Sequence, residues 1–202
     1  MNINTAKIES LVRQPLLEIG EDPEREGLLK TPERVAAALA FLTSGYRTDP
    51  VKLINGAVFT QETNSMVIVK NIEMYSLCEH HMLPFFGRCH IGYVPSGRVF
   101  GVSKLARLVD MYARRLQLQE RLTEQISQVA MESIDAKGVG VMIEARHLCP
   151  SESPNPSHVE EAKPCVAVLI HSRMPVTTKT SGIPIIQTRL VNTLRPMRES
   201  IA

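Results

Sequence analysis

Apolar side chains at Ile8, Leu11, Val12, Leu16, Leu17 and Ile19 recur at helical spacing, which predicts an amphipathic helix over about residues 5–19. Gly20 and the stretch Glu21-Asp22-Pro23 end it. Thr31-Pro32-Glu33 reads as an N-cap followed by proline at the first helical position, opening an Ala-rich helix that stops near Leu42, before Ser44-Gly45. Both helices suit packing or contact between copies of the chain. From Met66 the period changes. Met66-Val67-Ile68-Val69 and Cys89-His90-Ile91-Gly92-Tyr93-Val94 read as strands, separated by a turn-rich segment. Ser103 is expected to cap a helix with Leu105, Leu108, Val109 and Tyr112 on one side, and a longer helix should run from about Gln119 to Ile134. Gly138 to Ala145 is a Val-rich strand, the Pro/Ser/Glu-rich stretch 150–164 a loop, and Val166-Ala167-Val168-Leu169-Ile170 a further strand. That order of elements predicts an α+β chain with a mainly antiparallel sheet.

Composition narrows the class without naming a function. The 202 residues are 44% hydrophobic and 22% charged, an ordinary globular balance for one domain with a helical arm. A net charge of +2 is too small to argue for a nucleic-acid or membrane surface, although a few clustered cations could serve one nucleotide. No apolar run approaches the roughly 18 residues of a membrane span, and residues 1–20 lack the apolar region of a signal peptide. The 4 cysteines, at positions 78, 89, 149 and 165, do not resemble a disulfide framework. The chain therefore reads as cytoplasmic, with reduced thiols that are free to bind metal.

Two short segments carry the candidate chemistry: Cys78-Glu79-His80-His81 and His147-Leu148-Cys149. Zinc takes thiolate and imidazole ligands, and a catalytic site keeps one position open for water. Cys78 and His81 can face one ion from a turn, with Cys149 supplying a third donor from a strand end. His80 and His147 then remain beside the ligands with an intrinsic pKa suited to general acid–base work. A closed structural Cys₂His₂ site using one spare histidine is the alternative. A lone Cys-x-x-His would also be compatible with simple packing. Cys89, His90 and Cys165 read as packing residues, and His158 and His171 as solvated or loop positions. The base deaminases need a Pro-Cys-x-x-Cys element that this sequence lacks.

Longer motifs add a resemblance. Ser76-Leu77-Cys78-Glu79-His80-His81, Gly101-Val102-Ser103-Lys104-Leu105-Ala106-Arg107, Gln117-Leu118-Gln119-Glu120-Arg121-Leu122-Thr123 and Glu144-Ala145-Arg146-His147-Leu148-Cys149 resemble, in order, the motifs of GTP cyclohydrolase I. Thr31-Pro32-Glu33-Arg34-Val35 resembles that family's N-terminal helix, and the likeness spans about residues 8–149. It implies a tunnelling fold: an antiparallel sheet with two helices on one face, closed into a barrel by oligomerisation, as a decamer of two pentamers with active sites between subunits. A helical arm over 1–48 and a catalytic domain over 49–202 follow. The resemblance further implies Zn²⁺ on Cys78, His81 and Cys149, and water attack at C8 of GTP with loss of formate. His80 and His147 would move protons, Ser103 would assist the sugar rearrangement, and the product would be 7,8-dihydroneopterin triphosphate. Glu120 would read the guanine edge, Gln119 would orient the ring or water, and Lys104, Arg107 and Arg34 would hold the triphosphate.

After Cys149 the pattern departs. The family's Arg-Gly-Val-x-Lys is replaced by Pro150-Ser151-Glu152-Ser153-Pro154-Asn155, and no counterpart of its phosphate-clamping arginine can be placed. A neighbouring reading frame permits family-like residues, so residues 150–202 read as a divergent tail with a frameshifted end as one explanation. Two other functions stay open on this ground: a weak or inactive zinc-binding subunit with a structural or regulatory role, and an enzyme for another purine triphosphate.

Overall fold

The computed structural model describes residues 3–54, 56–63, 65–149, 165–172 and 189–190. The first periodic stretch forms α1 (Thr5–Glu18), capped by the Asn4 side chain, which accepts the Lys7 amide at 2.9 Å. Pro15 lies inside it and removes one intrahelical bond. The apolar stripe that predicts this helix finds little cover among the described residues: Leu11, Leu17 and Ile19 are 57%, 53% and 73% exposed. The second stretch forms α2 (Thr31–Leu42), which packs on α1. Thr31 is not its N-cap. Lys30 occupies that position with no side-chain cap bond, and Pro32 sits buried in the first turn.

A 3₁₀ turn (Ser44–Arg47), α3 (Pro50–Ile54) and β1 (Val58–Thr60) lead to the sheet. Its strands are β2 (Val67–Cys78), β3 (Pro84–Val94), β5 (Leu116–Gln117), β6 (Gly138–His147), β7 (Cys165–Ser172) and β8 (Arg189–Leu190). Between them lie β4 (Arg98–Phe100), α4 (Val102–Ala113) and α5 (Gln119–Ile134). The sheet order is β5-β2-β3-β6-β7-β8, while β1 and β4 make a separate pair. Every pairing is antiparallel except β2 with β5. The expected α+β class, antiparallel sheet and two helices on one sheet face are what the structure has. The strand expected over 166–170 is the heart of β7, whereas the loop expected over 150–164 lies outside the described residues.

Alternation explains which sheet face the helices cover. In β3, Phe85, Cys89, Ile91 and Tyr93 are buried, and they meet Leu105, Leu108 and Val109 of α4 and Leu122, Ile126 and Ala130 of α5 in one core. Burial pushes the Cys89 thiol up to about 12, consistent with a packing role. The opposite sheet face keeps Tyr75 and Phe86 exposed, their rings stacked at 6.5 Å.

Two sequence expectations are corrected here. Cys78 does not lie in a turn-rich segment; it is the last residue of a β2 that runs far past Val69. The register shifts between Val69 and Ile72, with Asn71 at φ 58°, and this bulge interrupts the period that marks a strand. Ser103 does not cap α4, because Gly101 holds that position and no side chain caps the helix. Among the described residues, no helix is long and apolar enough to cross a membrane.

Gly87 is required by the close approach of β3 to β6. A Cβ there would sit 1.9 Å from the Glu144 carbonyl oxygen and 2.7 Å from Ala145 Cα. Gly87→Ala should cost about 3 kcal/mol through forced backbone movement. Gly140→Ala, whose Cβ would meet only Ile170 at 3.9 Å, should stay within about 0.5 kcal/mol. Thermal melting of the two variants at equal concentration checks this, and indistinguishable transitions would refute the steric argument.

Candidate metal and nucleotide site

Backbone hydrogen bonds bring the two Cys/His segments together. Cys78 ends β2, and the tight turn that follows is closed by Cys78 N–H on the Leu83 carbonyl and by Met82 N–H on the Cys78 carbonyl, at 2.9 and 2.8 Å. Met82 sits at φ 55°, so the turn reverses sharply before β3 begins at Pro84. The Leu148 amide then donates to the Pro84 carbonyl at 3.0 Å, laying the end of β6 beside that turn. As a result, donor atoms of Cys78, His81 and Cys149 lie within 4.8 Å of one another.

The trio suits a metal on chemical grounds. Burial comes first in pushing the Cys149 thiol up to about 11, followed by the hydrogen bond and charge proximity of Cys78. Two thiols crowded in this way resist carrying two negative charges, a penalty that a dication removes. Cys78 is buried, Cys149 half-buried and His81 exposed, so the group has one open side. Among the described residues this group has three donors, which is the open rather than the closed arrangement. The ring of His80 stands edge-on to His81 with centroids 6.2 Å apart, and it is outside the donor group.

A cavity of about 220 Å³ joins the trio to His80, His147, Gln119 and Glu120, with Gln117 and Cys165 in its wall. His147 is held twice. Its ring stacks parallel on buried Phe85 with centroids 4.5 Å apart, and its Nε2 lies 3.0 Å from Gln119 Oε1. Burial lowers its pKa, and the nearby Glu120 carboxylate offsets part of that effect. Gln119 opens α5 yet is only 2% exposed, and its Nε2 donates to the carbonyls of Ile143 and Cys165, each at 2.9 Å. Read alone it suggests a helix-capping or solvated residue, but the structure makes it an internal clamp. Glu120, one residue on, is exposed at the cavity.

Sequence reasoning missed three contributors. Arg121 grips Glu79 through two bonds, at 2.5 and 3.0 Å, and thereby ties the His80-His81 turn to the start of α5. This contact holds the Glu79 carboxyl below its usual range. Phe85 and Cys165 are the others. Cys165 is not a mere packing residue, since it lines the cavity, and burial followed by Glu120 pushes its thiol up. His171 is likewise not a loop residue: it lies in β7 and shares a 2.8 Å hydrogen bond with Ser127 Oγ. His90 is half-buried in β3, its Nδ1 accepting the Asn71 amide at 3.4 Å, and His158 lies outside the described residues.

The phosphate-binding candidates, and Ser103 with them, fall elsewhere in the chain. Ser103 is exposed on α4, Arg34 is exposed on α2, and Lys104 Nζ donates to the Leu53 carbonyl at 2.8 Å. Arg107 lines a second cavity of about 320 Å³ between α4 and the 3₁₀ turn. None of the four borders the cavity of the trio.

Fold and site together define an α+β protein with an open thiolate–imidazole trio at a cavity holding two further histidines. The sequence profile of GTP cyclohydrolase I matches residues 8–159, and the chain belongs to that family. The match runs past Cys149, into the start of the divergent tail. The chain is 58% identical over 142 residues to the GTP cyclohydrolase 1 of Leptospira biflexa serovar Patoc, covering 70% of this chain and 78% of that one. It is 59% identical over 141 residues to that of Campylobacter curvus, with 70% and 74% covered. Against that of Chlorobium phaeovibrioides it is 62% identical over 131 residues, with 65% and 59% covered. Among solved structures, the apo form of archaeosine synthase QueF-Like overlaps 53% of this chain and 95% of its own, with a TM-score of 0.42 and 19% identity.

Proposed function

We infer that this chain acts as its family does, opening the imidazole ring of GTP by hydrolysis with release of formate and rearrangement to 7,8-dihydroneopterin triphosphate. The observation that carries this reading is the cavity in which Cys78, His81 and Cys149 converge beside His80 and His147. Those three residues would hold zinc, which supplies Lewis-acid activation of water near neutral pH. His147, fixed by Phe85 and Gln119, is placed to exchange a proton with the ring nitrogen next to the attacked carbon. Burial lowers its pKa, which makes its protonated ring the stronger acid toward that nitrogen. His80, on the exposed turn, serves the second proton transfer. The Glu120 carboxylate accepts from guanine N1–H and the exocyclic amine, a donor pair that adenine does not present.

The triphosphate reading needs a second copy of the chain. Arg34, Lys104 and Arg107 sit away from the cavity of their own chain, as does Ser103, so a site shared between subunits would let one copy supply cations and that hydroxyl to another's guanine pocket. An uncovered apolar stripe on α1 and the open sheet face with Tyr75 and Phe86 offer the surfaces for such assembly, up to a decamer of two pentamers closing a tunnelling-fold barrel. On this reading residues 1–48 are an assembly arm and 49–202 the catalytic domain, working in the cytoplasm, where its thiols stay reduced.

Zinc-loaded protein should release formate from GTP and turn ATP over about 10⁴-fold less efficiently, as expected of a pocket built around paired hydrogen bonds. Equal turnover of GTP and ATP would take Glu120 out of guanine recognition. No formate from GTP, with zinc bound, would favour a structural or regulatory subunit instead.

A further inference from the structure

We propose that Gln119 is a positioning residue that fixes His147 in its Nε2–H tautomer, and that the segment beyond Cys149 takes part through the Cys165 carbonyl. The inference rests on the functional reading above for what His147 does, but its geometry stands by itself. A glutamine amide has two N–H donors and one oxygen. Both donors are used here, on the carbonyls of Ile143 and Cys165 at 2.9 Å each. Reversing the amide would aim its oxygen at two carbonyl oxygens, so the network fixes the orientation. The oxygen left facing His147 Nε2 at 3.0 Å can only accept, and the imidazole must therefore donate from Nε2.

Proton exchange with substrate is then confined to Nδ1. The parallel stack on Phe85 fixes the ring plane, and the glutamine fixes which nitrogen carries hydrogen. Gln119 is 2% exposed, so little of its surface is open to competing solvent. Both of its N–H donors are spent within the protein, so Gln119 has none left to give the purine.

The Cys165 carbonyl gives the divergent tail a place in the site. Cys165 opens β7 and pairs with Ala145 of β6, two residues before His147. The same ladder that adds β7 to the sheet thus aims one of the two acceptors that orient Gln119. A chain that lost this pairing would leave the clamp half made.

The test is ¹⁵N and ¹³C NMR of the zinc-loaded protein, with His147 assigned from the loss of its signals in His147→Ala. At a pH where His147 is neutral, wild type should show hydrogen on Nε2 alone. Gln119→Met, similar in length but unable to hydrogen-bond, should give a mixture of tautomers and move the Cys165 carbonyl signal. Its kcat should fall about 10–100-fold, less than the roughly 10⁴-fold cost of a fully mis-set catalytic imidazole, because the Phe85 stack remains. KM for GTP should stay within about twofold, since no ground-state contact is lost. Gln119→Glu would set its second oxygen against the Ile143 and Cys165 carbonyls, so it should move the Cys165 carbonyl signal while still offering His147 Nε2 an acceptor. Hydrogen on Nδ1 in wild type would overturn the proposal even if Gln119→Met failed to fold. A raised KM with kcat unchanged would make Gln119 a substrate contact, and an unmoved Cys165 signal would remove the tail from the clamp. Failure of the functional reading would show separately, as wild-type protein that releases no formate while the tautomer signal persists.

Discussion

Replacing Cys149 by serine should empty the metal site and abolish turnover together. Its Sγ is one of three donors within 4.8 Å of one another, and the remaining pair includes the exposed His81. A serine hydroxyl does not ionise near neutral pH and is a poor zinc ligand. Spreading the roughly 10–16 kcal/mol of a four-ligand zinc site over its ligands assigns about 2.5–4 kcal/mol to the lost thiolate, or about 10²–10³-fold in affinity. Turnover should fall further than occupancy, because water without a metal has a pKa of about 15.7 rather than roughly 7. Metal analysis after dialysis, alongside formate release, reads both effects. Full occupancy in Cys149→Ser would strike that residue from the ligand set.

The elements most legible in the sequence are those whose burial follows a single period. The helix expected over 119–134 is α5 to the residue, because its buried face, with Leu122, Ile126, Ala130 and Ile134, repeats without interruption. β2 was the least legible. Its bulge at Asn71 shifts the register, so Ile72 and Met74 fall out of phase with Val67 and Val69. Short pieces such as α3, β1 and β5 carry too few residues to show a period at all. The helix starts misled for a different reason: Thr31 and Ser103 are residue types that favour caps, yet the chain turns one residue before Thr31 and two before Ser103.

At the site, residue chemistry was legible and residue neighbourhood was not. Cys78, His81 and Cys149 announce a metal by donor type, and the structure brings their donors together. Nothing local tells that Phe85 will stack on His147, since that depends on β3 and β6 pairing Phe85 directly with His147. The grip of Arg121 on Glu79 likewise joins a turn to a helix start through tertiary folding. Gln119 shows the limit most clearly: its sequence neighbours suggest solvent, while carbonyls of β6 and β7 hold it in the interior.

His147→Ala and His80→Ala should each keep the metal and lose formate release by about 10²–10⁴-fold, the usual worth of a positioned acid or base. Neither histidine belongs to the donor trio, yet both border the same cavity. Their stabilities should part company. His147 is half-buried against Phe85 and satisfies Gln119 Oε1, so its removal leaves a buried acceptor alone at a cost of about 1–3 kcal/mol. His80 is exposed on the turn, and its removal should leave the melting transition where it was. The expected pattern is therefore two inactive, metal-loaded variants, of which His147→Ala alone melts early. A variant that loses its metal would instead make that histidine a ligand. Wild-type rates in either one would end its role in proton transfer.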